Sequence, residues 1–310
     1  MAEQQGRLAY VFPGQGSQRI GMGLDLYHNF PAAREVFEEA DEALGFPLSR
    51  LCFEGPEEEL AQTVNAQPAI LTASIACLKA ASRVAGQIIC PAFMAGHSLG
   101  EYTALVAAQV LDFADALRLT RERGRLMQEA GVRVPGGMAA ILGLDEVSVE
   151  QVCQETGAEI ANLNSPGQIV VSGTREAMVR AMDLARAMGA RRAMPLNVSG
   201  AFHSHLMQPA AEGMTNVLSE MEFRHPSTPV VVNSTAQPAT TAGEVKEELM
   251  RQLCHCVQWQ RSVEYMVDAG VCTFVEIGPG QVLSGLIKRI SDESQILNVE
   301  DASSIRAMSI

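Results

Sequence analysis

Residues 91–110 have the sequence PAFMAGHSLGEYTALVAAQV. The apolar run at 91–95 predicts a buried strand, and residues 100–110 predict a helix. Between them lies a G-x-S-x-G motif, from Gly96 to Gly100, in the strand–turn–helix context that gives this motif meaning. At such an elbow the serine occupies a strained turn at a helix start, where backbone donors can stabilise an oxyanion. The segment predicts an α/β fold with Ser98 as nucleophile; the alternative is that Ser98 only caps the helix.

Strands and helices alternate on both sides of this segment. Upstream, a strand is predicted at 7–12, a glycine-rich polar loop at 14–18, and helices at 31–43 and 69–84. Downstream elements are predicted as a helix at 112–130, a strand at 229–233, a helix at 245–252 and a strand at 273–277. Alternation of this kind indicates a parallel sheet with helices on both faces. We therefore expect a larger α/β-hydrolase-like domain with a parallel sheet.

The pattern changes between residues 137 and 198. Its elements are a strand at 137–143, a helix at 146–156, strands at 158–164 and 168–173, a helix at 175–188 and a strand at 190–198. This βαββαβ order is that of the ferredoxin-like unit. We therefore predict a ferredoxin-like subdomain at 132–199, inserted into a larger domain formed by 1–131 and 200–310.

Composition narrows the class of function. The chain has 310 residues, 47% of them hydrophobic, and a formal net charge of −13. The negative charge argues against nucleic-acid binding, which depends on clustered Lys and Arg. No apolar run reaches the ~20 residues of a membrane span, and Met1 to Gly6 lacks the regions of a signal peptide.

The seven cysteines are scattered along the chain, which fits a reducing cytoplasm. Cys254, His255 and Cys256 are consecutive, but adjacent ligands have poor geometry and no second pair stands at zinc spacing. We therefore predict a cytoplasmic protein without a metal and without a membrane or nucleic-acid partner.

A serine nucleophile needs a base, and six histidines are available. Three lie in ordinary helical or loop sequence: His28, His225 and His255. His97 adjoins the serine on a turn that is expected to point its side chain away. His203 and His205 remain, where the chain leaves the inserted unit, and a loop between two bodies is a natural place for a base. Sequence spacing alone does not separate these two, and either could be a loop or capping histidine.

Arg123 stands on an otherwise apolar face of the helix predicted at 112–130. The apolar positions of this face are Ala116, Leu119, Leu126 and Ala130, and the other charges of the helix lie on a different face. A buried guanidinium needs a partner, and its planar fork fits a carboxylate. A substrate carboxylate could supply the missing charge. The alternatives are an ion pair within the protein and a side chain that reaches out to water.

Six segments together resemble the malonyl-CoA:acyl carrier protein transacylase family, in the family's order and at similar separations. They are GQGSQ at 14–18, GHSLGEY at 96–102, RG at 123–124, NLNSPGQ at 162–168, GAFH at 200–203 and EIGPG at 276–280. The resemblance covers nearly the whole chain. It implies an acyltransferase that moves a malonyl group from malonyl-CoA to the phosphopantetheine thiol of an acyl carrier protein, for fatty acid or polyketide synthesis.

The resemblance also implies roles for individual residues. Ser98 becomes the acylated nucleophile and His203 its base, which leaves His205 as a bystander. Gln15 and the backbone N–H of Leu99 form the oxyanion hole. Arg123 holds the malonyl carboxylate, in agreement with the argument from the helix face. No cofactor is implied beyond the coenzyme A thioester itself, and a monomer is expected.

Four further residues are implied at the site. Gln252 matches a glutamine whose backbone carbonyl orients the histidine, although His255 and Cys256 stand where relatives often have Asn-Pro. Asn162 and Asn164 are expected to support loop geometry and contact substrate. Phe202 matches the phenylalanine that goes with malonyl rather than methylmalonyl in related acyltransferases, because its ring would fill the space of an α-methyl branch. The alternative for Phe202 is a core residue that touches no substrate.

The sequence alone leaves two rival functions open. A serine hydrolase would share the G-x-S-x-G motif but release acyl groups to water. A non-catalytic carrier-docking protein could keep the same fold. Because the protein is acidic, an acidic carrier would need a local positive patch. Four cations are the docking candidates, and scattered solvated charges are the alternative for each: Arg191, Arg192, Lys288 and Arg289.

Overall fold

The computed structural model describes residues 7–85 and 90–307. Its strands are β1 Arg7–Phe12, β2 Phe93–Gly96, β3 Gly136–Leu142, β4 Glu159–Ser165, β5 Gln168–Thr174, β6 Arg192–Pro195, β7 Val230–Val231, β8 Pro238–Ala239, β9 Val271–Ile277 and β10 Gln295–Val299. Its first helices are α1 Leu24–Asn29, α2 Pro31–Leu44, α3 Leu48–Glu54, α4 Glu57–Leu60, α5 Thr63–Ala85, α6 Leu99–Ala107 and α7 Phe113–Arg133. The others are α8 Glu146–Thr156, α9 Arg175–Ala187, α10 Gln208–Glu220, α11 Ala242–Arg251, α12 Trp259–Asp268, α13 Val282–Ile290 and α14 Ala302–Ala307, with 3₁₀ turns at His205–Met207 and Gln252–Cys254.

The larger sheet has the strand order β10-β9-β1-β2-β7-β8. Neighbouring strands are parallel from β10 to β7, and only β8 runs antiparallel to its neighbour. The central strands are buried on both faces; all four residues of β2 are buried. Strands covered on both sides read as continuous apolar runs, which is why β1 and β2 were predictable. The predicted parallel α/β sheet is confirmed.

The inserted region forms a separate antiparallel sheet with the order β4-β5-β3-β6. Helices α8 and α9 follow β3 and β5 in the chain, so the predicted ferredoxin-like βαββαβ unit is confirmed. The unit has its own apolar core, which includes Ile141, Val152 and Val171. The boundaries at 132 and 199 stay a prediction. The last strand is shorter than expected, because β6 ends at Pro195 and an irregular segment leads back to the larger body.

Helices α5 and α7 pack closely beside the larger sheet. The contact between the two helices fixes the position of Arg123. Gly124 of α7 lies against the first turn of α5, where a Cβ on this glycine would stand 2.6 Å from the Thr63 carbonyl oxygen. The absence of a side chain at Gly124 therefore allows the close approach. Arg123, the residue before Gly124, is thereby carried into the interior and is only 1% exposed.

The C-terminal part is more regular than the sequence indicated. No element was predicted at 291–310, yet β10 and α14 lie there, with β10 at the edge of the larger sheet. Met1 to Gly6, on which the expectation of no signal peptide rests, lies outside the described residues. Within residues 7–85 and 90–307, no helix is both long and apolar enough to cross a membrane.

Candidate active site

Ser98 stands at a sharp elbow between β2 and α6. Its backbone has φ 51° and ψ −104°, a conformation that non-glycine residues rarely adopt and that costs about 1–3 kcal/mol. Gly96 and Gly100 flank it without side chains. A Cβ at Gly96 would collide with the backbone of Gly100, and a Cβ at Gly100 with the carbonyl oxygen of Phe12. The two glycines of the motif thus allow the elbow to form.

His203 is the histidine that reaches the serine. Its Nε2 lies 2.8 Å from Ser98 Oγ, and its Nδ1 lies 2.9 Å from the backbone oxygen of Gln252. A carbonyl oxygen can only accept, so Nδ1 carries the hydrogen and Nε2 is left to accept the Ser98 hydroxyl proton. His205 is exposed and interacts with Glu159 instead. The structure therefore separates the two histidines that sequence spacing left open.

His203 is buried and stays neutral over a wide pH range. Burial, and next the positive charge of Arg123, lower the pKa of His203 to about 3, while the hydrogen bond to the Gln252 carbonyl acts in the opposite direction. A neutral imidazole with a free Nε2 can accept a proton from a serine hydroxyl.

Arg123 is buried beneath the serine and is held by amides rather than by acids. Its Nη1 donates to Gln67 Oε1 at 2.8 Å, and its Nη2 donates to Gln252 Oε1 at 2.9 Å and to Ser98 Oγ at 3.1 Å. No carboxylate within the described residues pairs with it at ion-pair distance, and its Nε has no partner there. Burial lowers the pKa of Arg123, while the nearby Tyr102 and Glu101 act in the opposite direction. Neither alternative, an ion pair or a side chain in water, is found.

A cavity of about 490 Å³ opens above Ser98, between the larger sheet and the inserted unit. It is lined by six of the predicted site residues: Gln15, Ser98, Asn162, Asn164, Phe202 and His203. Phe202 is 4% exposed and also belongs to the main apolar core; its contact with substrate stays a prediction. Val282, Leu283 and Leu286 of α13 form an apolar wall.

The two groups predicted to form an oxyanion hole are the Leu99 N–H, at the start of α6, and the Gln15 side chain, in the loop after β1. The Leu99 N–H makes no hydrogen bond in the described part of the chain, whereas the next two amides bond to His97 and Ser98 carbonyls. The Gln15 side chain lines the cavity, and its Nε2 donates to Thr63 Oγ1 at 3.2 Å. A free N–H at a helix start carries a partial positive charge; Leu99 adjoins Ser98, which lines the cavity, but is itself buried.

Gln252 contacts three parts of the site. Besides its backbone bond to His203, its Oε1 accepts from Arg123 and its Nε2 donates to the backbone oxygen of Ser98 at 3.1 Å. The departure at His255 and Cys256 from the family pattern leaves this arrangement in place. His97 differs from expectation: its Nε2 lies 2.8 Å from Asn164 Oδ1, and its ring lines the same cavity as Ser98 instead of pointing away from it.

Sequence reasoning missed three buried polar residues near the site: Asn233 bonds to Ser98, Glu101 to the Asn233 backbone, and Gln67 to Arg123. Glu101 belongs to the GHSLGEY segment, so its position three residues after Ser98 could have identified it as a site residue. Asn233 follows β7 at the carboxyl end of a parallel strand, the edge where sites gather in α/β folds. Gln67 carried no signal in its own sequence.

A parallel α/β sheet whose strand–helix elbow carries a serine in contact with a buried histidine is typical of enzymes that transfer acyl groups through a serine. The family model described as "Acyl transferase domain" matches residues 9–308. The malonyl CoA-acyl carrier protein transacylase of Bacillus subtilis is 48% identical over 304 residues, covering 96% of this chain and 95% of the relative. That of Escherichia coli is 48% identical over 290 residues, covering 92% and 93%.

Solved structures agree with these relatives. A malonyl-transacylase in complex with a type II PKS acyl-carrier protein superposes with a TM-score of 0.94 at 44% identity, covering 97% of this chain and 98% of that one. The acyl carrier protein S-malonyltransferase of Vibrio cholerae gives a TM-score of 0.93 at 42% identity, covering 97% and 99%. The chain therefore belongs to the malonyl CoA-acyl carrier protein transacylase family.

Proposed function

We propose that this enzyme moves a malonyl group from malonyl-CoA to the phosphopantetheine thiol of an acyl carrier protein, through an ester on Ser98. The observation that carries the proposal is the 2.8 Å contact between Ser98 Oγ and His203 Nε2, directly above a buried Arg123 that lacks an acidic partner in the described chain. The first feature provides a nucleophile and its base. The second provides a charge that a malonyl carboxylate would balance.

In the first half-reaction, His203 accepts the Ser98 proton while Oγ attacks the thioester carbonyl. The negative charge that develops on the carbonyl oxygen is stabilised by the free Leu99 N–H and by Gln15. His203 then gives its proton to the departing sulfur, and coenzyme A leaves. Because a carbonyl of Gln252 rather than an Asp orients the imidazole, the imidazolium gains less electrostatic help than in a Ser-His-Asp triad.

In the second half-reaction, the carrier's thiol enters the same cavity. His203 removes the thiol proton, sulfur attacks the Ser98 ester, and the serine oxygen takes the proton back as the ester breaks. The scheme is a ping-pong reaction in which each step uses side chains of this chain and needs no cofactor beyond the thioester. Asn162 and Asn164 face the cavity from the inserted unit and can contact the substrate.

Selection of malonyl would follow from Arg123 and Phe202. Arg123 already donates to Ser98 Oγ, so a carboxylate bound to its fork would lie next to the nucleophile. Phe202 borders the cavity where a branch at the α-carbon would extend.

The acyl carrier protein is the proposed partner, supported by the related complex of a malonyl-transacylase with such a carrier. The four candidate docking cations are Arg191, Arg192, Lys288 and Arg289. Arg289 interacts with Gln168, which borders the cavity, so this cation lies near the opening. We further propose a monomer that works in the cytoplasm; all seven cysteines are free thiols, as a reducing compartment favours.

The proposal is tested by intact-mass analysis after brief mixing with malonyl-CoA, for the wild type and for Ser98→Ala. We expect a malonyl adduct on the wild type only, which is stable in buffer and discharged by addition of the pantetheine-loaded carrier. Rapid loss of the adduct to water would instead indicate a hydrolase. An equal adduct on Ser98→Ala would remove the serine from the scheme, and absence of turnover with the carrier would favour a docking protein.

A further inference from the structure

Asn233 bridges the two sides of the nucleophile elbow from a neighbouring strand. β7 pairs in parallel with β2, with Val231 opposite Ala95, and Asn233 follows two residues later. Its Oδ1 accepts from the Ser98 N–H at 2.6 Å, and its Nδ2 donates to the Gly96 carbonyl oxygen at 2.7 Å. The side chain thus satisfies one backbone group before the serine and the serine's own amide.

Asn233 is itself held firmly in place. Its backbone N–H donates to Glu101 Oε2 at 2.6 Å, and its carbonyl oxygen accepts from the Gln258 N–H at 2.9 Å. Glu101 is fully buried on α6, one turn after the elbow, and Asn233 is 1% exposed. The Asn233 backbone is therefore held on both sides, by Glu101 of α6 and by Gln258 just before α12, and neither Glu101 nor Asn233 lines the cavity above the serine.

The bridge has two physical consequences. Ser98 has a positive φ, so without external hydrogen bonds the turn would relax towards a commoner conformation and carry Oγ away from His203. In addition, the Ser98 N–H is already engaged, so the Leu99 N–H is the amide at the elbow that remains free for a developing oxyanion.

We propose that Asn233 is a positioning residue for the reaction: its paired hydrogen bonds to Gly96 and Ser98 hold the strained elbow so that Oγ faces His203 and the Leu99 N–H stays open. This inference rests on the proposed role of Ser98 as nucleophile. Glu101 acts behind it by anchoring the Asn233 backbone. Substrate affinity is not part of the role, since Asn233 lies outside the cavity lining.

The test measures the reactivity of Ser98 without malonyl chemistry. The probe is a small uncharged fluorophosphonate, which labels activated serines, and Ser98→Ala provides the background. We expect Asn233→Ala to lower the labelling rate on the order of 10²-fold, because a displacement of about 1 Å at a reacting atom costs about that much. The acylation rate with malonyl-CoA should fall in parallel, while the dissociation constant of malonyl-CoA measured on Ser98→Ala and on the Ser98→Ala/Asn233→Ala double variant stays equal.

Ser234→Ala is the matched control. Ser234 lies in the same turn as Asn233, but its hydroxyl donates to Glu248 of α11 and bonds to neither Gly96 nor Ser98, so this variant should label at the wild-type rate. Rates are compared well below each melting temperature. If Asn233→Ala does not fold, Asn233→Asp decides, because it keeps the acceptor for Ser98 but loses the donor to Gly96; its rate should lie below that of the wild type.

The inference would be overturned if Asn233→Ala or Asn233→Asp were labelled at the wild-type rate. It would also be overturned if Ser234→Ala lost as much labelling rate as Asn233→Ala, because the effect would then belong to the turn as a whole. A wild type that is labelled by neither the fluorophosphonate nor malonyl-CoA would overturn the proposed function and the inference with it. If the wild type forms the malonyl ester and Asn233→Ala is labelled and acylated at the wild-type rates, only the inference about Asn233 is overturned.

Discussion

Arg123 acts on His203 through its charge, in addition to its proposed contact with the substrate carboxylate. Burial and the Arg123 charge lower the pKa of His203, so the base loses its proton at more acid pH and is ready above that point. The Arg123→Gln substitution removes the positive charge but leaves His203 buried. The pKa of His203 should therefore rise, and the acid limb of the acylation rate should move to higher pH.

The measurement is the rate of Ser98 acylation against pH with acetyl-CoA, whose acyl group carries no carboxylate to interact with residue 123. Arg125→Gln is the control, because Arg125 lies on the exposed face of the same helix and pairs with Glu122 and Glu129. That variant should keep the wild-type limb. If the acid limb of Arg123→Gln falls at the same pH as that of the wild type, Arg123 does not influence the pKa of His203.

Phe202 offers a second prediction for a single residue. Its ring borders the cavity, so Phe202→Ser should open room for a branched acyl group. A methyl-sized difference in a pocket is worth about 1–3 kcal/mol, or roughly 10- to 200-fold in kcat/KM. We expect the ratio of methylmalonyl to malonyl transfer to rise by an amount in this range. An unchanged ratio in a folded variant would assign Phe202 to the core alone.

Single residues also explain what the sequence could predict about the site. Ser98 was predictable because its context is local: an apolar strand, two glycines and a helix lie within about twenty residues. Asn233 and Gln67 were not, because their partners Ser98 and Arg123 are 135 and 56 residues away along the chain. Arg123 was flagged by the local pattern of its helix, but its amide partners could be found only from tertiary packing.

At the scale of elements, the contact between α5 and α7 sets the depth of Arg123. A Cβ at Gly124 would stand 2.6 Å from the Thr63 carbonyl oxygen, a backbone atom that cannot swing aside. Gly124→Ala should therefore force the helices apart, at a cost of about 1–3 kcal/mol in the free energy of unfolding. Malonyl acylation should also fall, since the guanidinium beside Ser98 moves with α7.

Denaturant unfolding and the acylation rate together check this prediction. Gly243→Ala is the matched control, because Gly243 lies in α11 with nothing within 4 Å of an added Cβ. In a helix this change should stabilise by about 0.5–1 kcal/mol. A stable and fully active Gly124→Ala would show that α7 tolerates displacement.

The elements differ in how well sequence predicted them. Long amphipathic or fully apolar segments such as β1 and α7 were found nearly at their observed ends, because periodicity and burial coincide there. β7 proved only two residues long, and β10 was missed, since its exposed and half-buried residues show no continuous apolar run. Strands at a sheet edge depend on pairing partners that are distant in sequence.

At the scale of the whole molecule, the site exists only where two bodies meet. Ser98 and Arg123 come from the larger body, Asn162 and Asn164 from the inserted unit, and His203 from the segment that connects them. The βαββαβ order predicted the second body, but not which of its residues would face the serine. In the proposed reaction, such a cavity would hold the pantetheine arm along one wall while the acyl group lies near Ser98.

Net charge sets how the carrier approaches. The enzyme carries −13, so an acidic carrier is repelled at long range and must dock on a local positive patch. We expect charge reversal of the four candidate cations to raise the KM for the carrier, with little change in the limiting rate: Arg191, Arg192, Lys288 and Arg289. Losing rim charges slows association more than it alters chemistry at Ser98, and added salt should reduce the difference between variant and wild type.

The control separates the carrier from coenzyme A, which is also anionic. A short malonyl thioester of N-acetylcysteamine has no phosphates, so its rate of Ser98 acylation should be the same in the variant and the wild type. Reversal of two exposed cations that do not line the cavity, Arg50 and Arg118, should leave the KM for the carrier unaltered. If reversal near the cavity leaves carrier saturation unchanged, the docking patch lies elsewhere, because an acidic partner could not be indifferent to eight units of altered charge along its path.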